Sequence, residues 1–477
     1  MRVFWTFLCL LVTCSFTVGT AHAGRLEAGR FTTTDTISGP RIPTPVTFQQ
    51  NFDVPPIVVA ISDSQGNNSA SIRITNVTTT GFDALVVEPD NWDGRHVSQL
   101  IQYIAVEPGR HALPGGSIIE AGRTNTNAVQ RGPGVSGTAS FTNVSFGGPL
   151  SNTATVLAQI QTANSETRNV PSESSRPHIT ALAVNATSTG FQLALERSQA
   201  SIGTVLTETV GWIAFPSGAS DTFDDINGNS VAWGAGNSGN SIRGWDNGCF
   251  SVSLPITSGN VVAVAKKRTR NNGDGGWFRY CSLSASAFNL RVDEDRGIDN
   301  ERSVAAGDAE SAAIIAFSQP FHANLRANLQ VTKTSFTISL PGDTGFSIPG
   351  ATREYLITIQ NSGNAPPNPD SLIITDALDP NTSMLVGDLG PAGIGPVIVT
   401  PGNGATGLTY SYSGLASTSD DLQFSDDGSS FAYIPTPGGD DEDSAVQAFR
   451  VTPSGILEGD RGSGPGELTL RYRVLVE

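Results

Sequence analysis

Apolar and polar residues alternate with a period of two along much of this chain. Ser71-Ile-Arg-Ile-Thr-Asn-Val77 is such a run, the signature of a strand with one buried face. Ile57-Val-Val-Ala-Ile61, Val156-Leu-Ala-Gln-Ile160 and Val261-Val-Ala-Val-Ala265 are short unbroken apolar runs and read as core strands. Pro55-Pro56 marks the start of the first. Further strands are predicted over 101–106, 179–184, 191–195, 210–215, 277–281, 288–292 and 312–317. No helical period interrupts them. The pattern predicts an all-β chain built from small antiparallel β-sandwiches.

A spacing recurs within this pattern. Gly81-Phe82 is followed by Ile104-Ala105, and Gly190-Phe191 by Ile213-Ala214, each Ile 22 residues after the Phe. Asn76-Val-Thr-Thr-Thr-Gly-Phe82 matches Asn185-Ala-Thr-Ser-Thr-Gly-Phe191, and Leu26-Glu-Ala-Gly-Arg30 matches Ile119-Glu-Ala-Gly-Arg123. A weaker third copy holds Phe288 and Ile315-Ala316-Phe317, with five extra residues between. The three phenylalanines are expected to be core anchors. Repetition predicts one module used three times, over 24–112, 113–220 and 221–326. The Gly/Ser/Asn/Pro-rich segments 107–118 and 218–248 read as linkers.

Composition changes the picture in three ways. The chain has 52 Gly, 28 Pro and only 15% charged residues, the profile of an extracellular β-protein. Its formal charge is −16, which argues against nucleic acid and anionic membranes as partners. Arg2, an apolar run to Val18 and Ala21-His22-Ala23 together read as a cleaved secretory signal over 1–23, leaving a secreted or cell-surface protein that does not span a membrane. Two of the four cysteines leave with that signal. Cys249 and Cys281 remain, and an oxidising compartment favours a disulfide between them. A loop of about 33 residues would make it worth roughly 3–4 kcal/mol.

The order Val46-Thr-Phe48, Phe52, Pro55-Pro56, a Val-rich strand, the Asn-Val-Thr-Thr-Thr-Gly-Phe82 turn and a Tyr/Trp-Ile-Ala strand resembles the H-type lectin domain. Trp212-Ile213-Ala214 is similar to that family's last-strand signature. The resemblance covers about residues 26–322 as three copies. It implies six-stranded sandwiches, glycan or glycoconjugate partners, sugar sites between protomers and an intramolecular pseudo-trimer of the three repeats. It also implies a site made of an acidic loop residue, an arginine on the strand before the Gly-Phe turn and an aromatic in the following loop. Asp63, Arg73 and Trp92 fit those roles, with His96 nearby. Arg73 lies nine residues before Phe82; the same offset selects Leu182 and Arg279, while Thr162 and Lys267 fall roughly where Asp63 does. A plain structural role fits the same residues: an outward-facing strand arginine, a loop aromatic and a turn aspartate.

From Leu329-Gln-Val-Thr-Lys-Thr334 the composition shifts, and residues 327–477 hold 18 acidic and 6 basic residues. Pro349-Gly350, Tyr355-Leu-Ile-Thr-Ile-Gln-Asn361, Gly363 and Leu372-Ile-Ile-Thr-Asp376 resemble an Ig-like conserved-repeat domain of bacterial surface proteins, which implies an Ig-like sandwich serving as a stalk. Asp225-Ile-Asn-Gly-Asn229 and Asp440-Asp-Glu-Asp443 are weak calcium candidates, equally readable as a turn and a solvated loop. No nucleophile elbow, phosphate loop, dinucleotide fingerprint or paired metal histidines are present, so no enzyme is expected. Two readings remain: a carbohydrate-binding or adhesion protein, and a structural surface or assembly protein whose repeats no longer bind sugar.

Overall fold

The computed structural model describes residues 24–38, 42–89, 92–130, 139–165, 177–199, 201, 203–256, 258–298, 300–339, 348–405 and 407–477. The expected signal segment 1–23 lies outside these residues. The described chain is all-β, with antiparallel sheets and no α-helix among the described residues. Two compact units divide it, residues 24–325 and 326–477.

The first sandwich of the larger unit uses β1 (Arg25–Thr32), β2 (Thr44–Thr47), β3 (Ile57–Ser62), β4 (Ser71–Thr75), β5 (Gly81–Val87) and β6 (Leu100–Val106). One sheet runs β1-β6-β3 and the other β2-β5-β4. Inward residues of both meet in a core that includes Phe48, Phe52, Val58, Ile74, Phe82 and Tyr103.

The same strand order occurs twice more. After β7 (Gly109–Ala112), the second sandwich has β8 (Ile118–Thr126), β9 (Val129–Gln130), β10 (Thr142–Ser145), β11 (Ala154–Ile160), β12 (Ile179–Val184), β13 (Gly190–Arg197) and β14 (Glu208–Pro216). Its sheets run β8-β14-β11 and β10-β13-β12, with β9 added in parallel to β13. The third follows β15 (Ser220–Asp224) and uses β16 (Ser230–Asn237), β17 (Phe250–Ser253), β18 (Val262–Lys267), β19 (Trp277–Leu283), β20 (Ala287–Asp293) and β21 (Ala312–Phe317), closing with β22 (Phe321–Asn324). Its sheets run β16-β21-β18 and β17-β20-β19.

The segments read from composition as linkers hold strands instead. β7 follows the last strand of the first sandwich and pairs with β8, and β15 follows the second and pairs with β16. β22 follows the third and pairs with β1, setting His322 opposite Glu27. Their glycines mark hairpin turns: Gly115 and Gly116 at φ 89° and 83°, and Gly228 at φ 78°. Side chains reinforce each junction. Arg30 donates to the carbonyls of Asn260 and Val261, Arg123 to those of Pro55 and Pro56, and Asn237 to that of Ala154, in each case just ahead of β18, β3 or at the start of β11.

The repeated Asn-x-Thr-x-Thr-Gly-Phe turn has a local cause. Asn76 and Asn185 both sit at φ 52°, a left-handed conformation that asparagine tolerates. The Thr78 and Thr187 hydroxyls accept from Thr80 N and Thr189 N at 3.2 Å. At Gly81 an added Cβ would lie 2.1 Å from the Val46 carbonyl oxygen, and at Gly190 2.2 Å from that of Val144, so only glycine fits. Phe82, Phe191 and Phe288 then enter the three cores, all buried.

The smaller unit is a two-sheet sandwich. One sheet contains β23 (Leu329–Ser339), β24 (Thr352–Asn361), β26 (Thr382–Leu385), β27 (Ile398–Pro401), β29 (Glu442–Asp443) and β31 (Gly466–Val476); the other contains β25 (Ile374–Ala377), β28 (Leu422–Ser425) and β30 (Ala448–Val451). Its sequence motif is physically coherent. Lys333 reaches the buried Asp376 at 2.7 Å and lies 4.6 Å from the Tyr355 ring centroid. Asn361 accepts from Asn328 N and Gly363 N while donating to the carbonyls of Ala365 and Leu457.

Candidate functional site

The loop after β3 begins at Asp63 and is gripped from two sides. Arg279 on β19 is fully buried and donates to the carbonyls of Asp63 (2.9 Å), Gln65 (2.5 Å) and Asn68 (3.1 Å), with its remaining charge met by Asp293 at 2.9 Å. His96, also buried, bridges Val97 O and Asn68 O through its two ring nitrogens. Burial, with Arg279 nearby, holds the His96 imidazole below its usual basicity. Burial raises the Asp63 carboxyl, a rise that Arg279 and backbone N–H groups oppose.

Asp63 lines a groove of about 360 Å³ with groups from the first and third sandwiches. Arg30, Gln65 and Gln102 face it from the first, and Asn260, Tyr280 and Ser282 from the third. Gln102 donates to the Tyr280 hydroxyl at 3.2 Å, which itself donates to Leu100 O at 3.1 Å. A guanidinium, a carboxylate, amides and hydroxyls around a phenol ring are the groups that recognise a polyol.

Arg73 lies elsewhere. It is buried on β4, donates to Ile179 O at 2.9 Å and lines a separate cavity of about 40 Å³ with Gln159, Glu196, Lys266 and Lys267. There Lys266 donates to Gln159 at 2.7 Å, and burial, then the neighbouring Arg73, pushes its ammonium down to about 7. Lys267 is paired with Glu196 at 2.6 Å and Glu310 at 3.5 Å. Trp92 sits half-buried, its ring centroid 5.8 Å from the Arg296 guanidinium carbon. The structure therefore brings Asp63 and His96 to one loop, and the arginine they share is Arg279, not Arg73.

The nine-residue offset had selected Arg279 as the counterpart of Arg73, but no sequence signal says that it reaches across to the Asp63 loop. Strand pairing also shifts one alignment. Asp63 N bonds Leu100 O, Gln161 N bonds Thr209 O and Arg268 N bonds Ser311 O, so Gln161 and Arg268, not Thr162 and Lys267, stand where Asp63 does. A slip of one residue moves a side chain to the other face. Tyr280, Gln102 and Arg30 were not foreseen as groove residues; the only hint was Arg30 in the repeated Glu-Ala-Gly-Arg lead-in.

Cys249 and Cys281 form a disulfide that joins the flank of β17 to β19. In Asp225-Ile-Asn-Gly-Asn229 both Asp225 carboxylate oxygens accept bonds from Asn227 and Asn229, closing the hairpin turn between β15 and β16. Asp443 accepts from Tyr433, Thr436 and Ala445. Among the described residues no group of three or more His, Cys, Asp or Glu is disposed to hold a metal ion.

Residues 43–106 match the family model of the H-type lectin domain. This stretch contains β2 to β6, Asp63 and the Gly81-Phe82 turn. No curated protein matches the chain.

Proposed function

We propose that this is a secreted or cell-surface carbohydrate-binding or adhesion protein. In this reading residues 24–112, 113–220 and 221–326 are H-type lectin-like repeats closed into an intramolecular pseudo-trimer, and 327–477 is an Ig-like stalk. The match over 43–106 supports a glycan ligand. The recurring strand order and the pairing of β22 with β1 support ring closure. The observation that carries the reading is the polar groove between the first and third sandwiches, lined by Arg30, Asp63, Gln102 and Tyr280.

A glycan array probed with the whole protein tests it. Binding to a defined set of glycans, lost on Asp63→Ala or Gln102→Ala with folding retained, is the expected result. A blank array over broad glycans would favour the structural or assembly role, which predicts ordered oligomers by microscopy. Closure is tested by solution scattering of residues 24–325: a ring of three sandwiches should have a radius of gyration of about 19 Å, and an extended string a much larger one.

A further inference from the structure

The outer face of the β17-β20-β19 sheet carries a cluster in which Arg279 and Arg302 hold the Asp63 loop, while Arg291 and Trp245 do not line the groove. Phe288, Leu290 and Val292 point into the core, so Arg291 points away from it. Trp245 faces three guanidiniums there: Arg291 at 3.3 Å from its ring centroid, Arg302 at 4.2 Å and Arg279 at 5.1 Å. Two of them are tied down. Arg279 and Arg302 share the buried Asp293 at 2.9 and 3.1 Å, and Arg302 also donates to Asn67 at 3.2 Å.

Arg291 is different. Its side chain makes no hydrogen bond or ion pair among the described residues, and its Nε is enclosed without an acceptor. It is half-buried and stands directly opposite Arg279 across the strand pair. Like charges in that arrangement destabilise a sheet. Asp293 and Asp246 act on Arg291 from the acidic side, and Arg279 and Arg302 from the basic side. Burial, then Arg279, pushes Arg291 down to about 10. This gathering of three guanidiniums on one indole sits in a chain of net charge −16, so it does not follow from the overall charge.

Stacking on the indole occupies a face of the Arg291 guanidinium and fixes its plane. Its edge is left to donate, and two parallel N–H groups on that edge match the spacing of two oxygens on one anion. We propose that Arg291, held on Trp245, is a binding site for an oxyanion group, a sulfate ester or a carboxylate, carried on a glycan. The proposal rests on the glycan reading only for the carrier; the anion site stands on the arginine cluster itself.

Calorimetric titration of the whole protein at low ionic strength tests it, using a sulfated disaccharide, a uronate-containing disaccharide and their neutral parent. The anionic sugars should bind more tightly than the neutral one, and the tighter of the two identifies the anion. Arg291→Gln should weaken the anionic sugars by about tenfold or more and leave neutral-sugar binding unchanged. Arg291→Lys, which keeps the charge but not the fork, should recover part of the loss and serves as a folding control. The proposal is overturned if anionic sugars bind no better than the neutral parent, or if their advantage survives Arg291→Gln. Anionic binding that depends on Arg291 while neutral sugars fail to bind would support this site and count against the groove.

Discussion

Arg279 Nε donates to the backbone carbonyl of Asp63 at 2.9 Å, across 216 residues of sequence. The bond ties a strand of the third sandwich to a loop of the first. The same guanidinium also serves Gln65, Asn68 and Asp293. One planar fork with five donors can satisfy three carbonyls and a carboxylate at once, which a lysine cannot.

Arg279→Leu should therefore be costly. It removes a donor from the carbonyls of Asp63, Gln65 and Asn68 and leaves the buried Asp293 carboxylate with Arg302 and the Ala70 N–H, and breaking such a buried pair costs about 3–5 kcal/mol. The denaturant midpoint should fall, and amide exchange over residues 64–68 should rise. Arg279→Lys should recover only part of the stability. A midpoint unchanged in the leucine variant would show that the fork contributes nothing.

The disulfide should stabilise the third sandwich. Cys281 lies at the register shift between Tyr280 and Ser282 in β19, and its bond to Cys249 closes a separation of 32 residues. Cys281→Ser should cost about 2–4 kcal/mol. Thermal unfolding with and without reductant checks this: reductant should shift the parent protein and leave the variant unmoved.

The repeated phenylalanines should be comparably important. Phe82 meets Phe31, Phe48 and Tyr103 with ring centroids 5.4–5.8 Å apart, and Phe191 meets Phe146 and Trp212 at 5.9 and 5.5 Å. Phe82→Ala and Phe191→Ala should each cost about 3–5 kcal/mol, read from chemical denaturation. A loss under 1 kcal/mol at either, on the order of a surface change, would place that ring outside the core.

Glu88 should make stability depend on pH. Burial pushes its carboxyl up to about 7, although Asn68 and Gly94 donate to it at 3.0 and 2.9 Å. The folded state then holds a proton that the unfolded chain releases near the ordinary glutamate value of 4.5. Glu88 therefore costs nothing below that value, its destabilisation grows as pH rises towards 7, and it is constant above. The stability of Glu88→Gln relative to the parent should climb over that interval and then level off. A pH-independent difference would refute it.

Much of the fold was legible in the sequence because strand pattern is local. Period-two alternation located the strands, and the Asn-x-Thr-x-Thr-Gly-Phe copies located the turns, since asparagine at positive φ and glycine against a carbonyl are requirements of a few neighbouring residues. The linker reading failed for a related reason. Glycine-rich composition marks a hairpin turn and a flexible connector alike, and only a pairing partner distinguishes them. For β7 that partner is β8 and for β15 it is β16, each the next strand in the chain.

By itself, the sequence determined the all-β class, the recurring strand pattern, its aromatic anchors and the pairing of Cys249 with Cys281. Each follows from residue type and short spacing. Only the tertiary structure decided which arginine meets Asp63, which residues share the groove, and that the Arg291 guanidinium rests on Trp245 with no ion-pair partner among the described residues. These depend on which edges and faces of distant strands are brought together, and hydrophobic periodicity specifies that a face is buried without specifying what buries it.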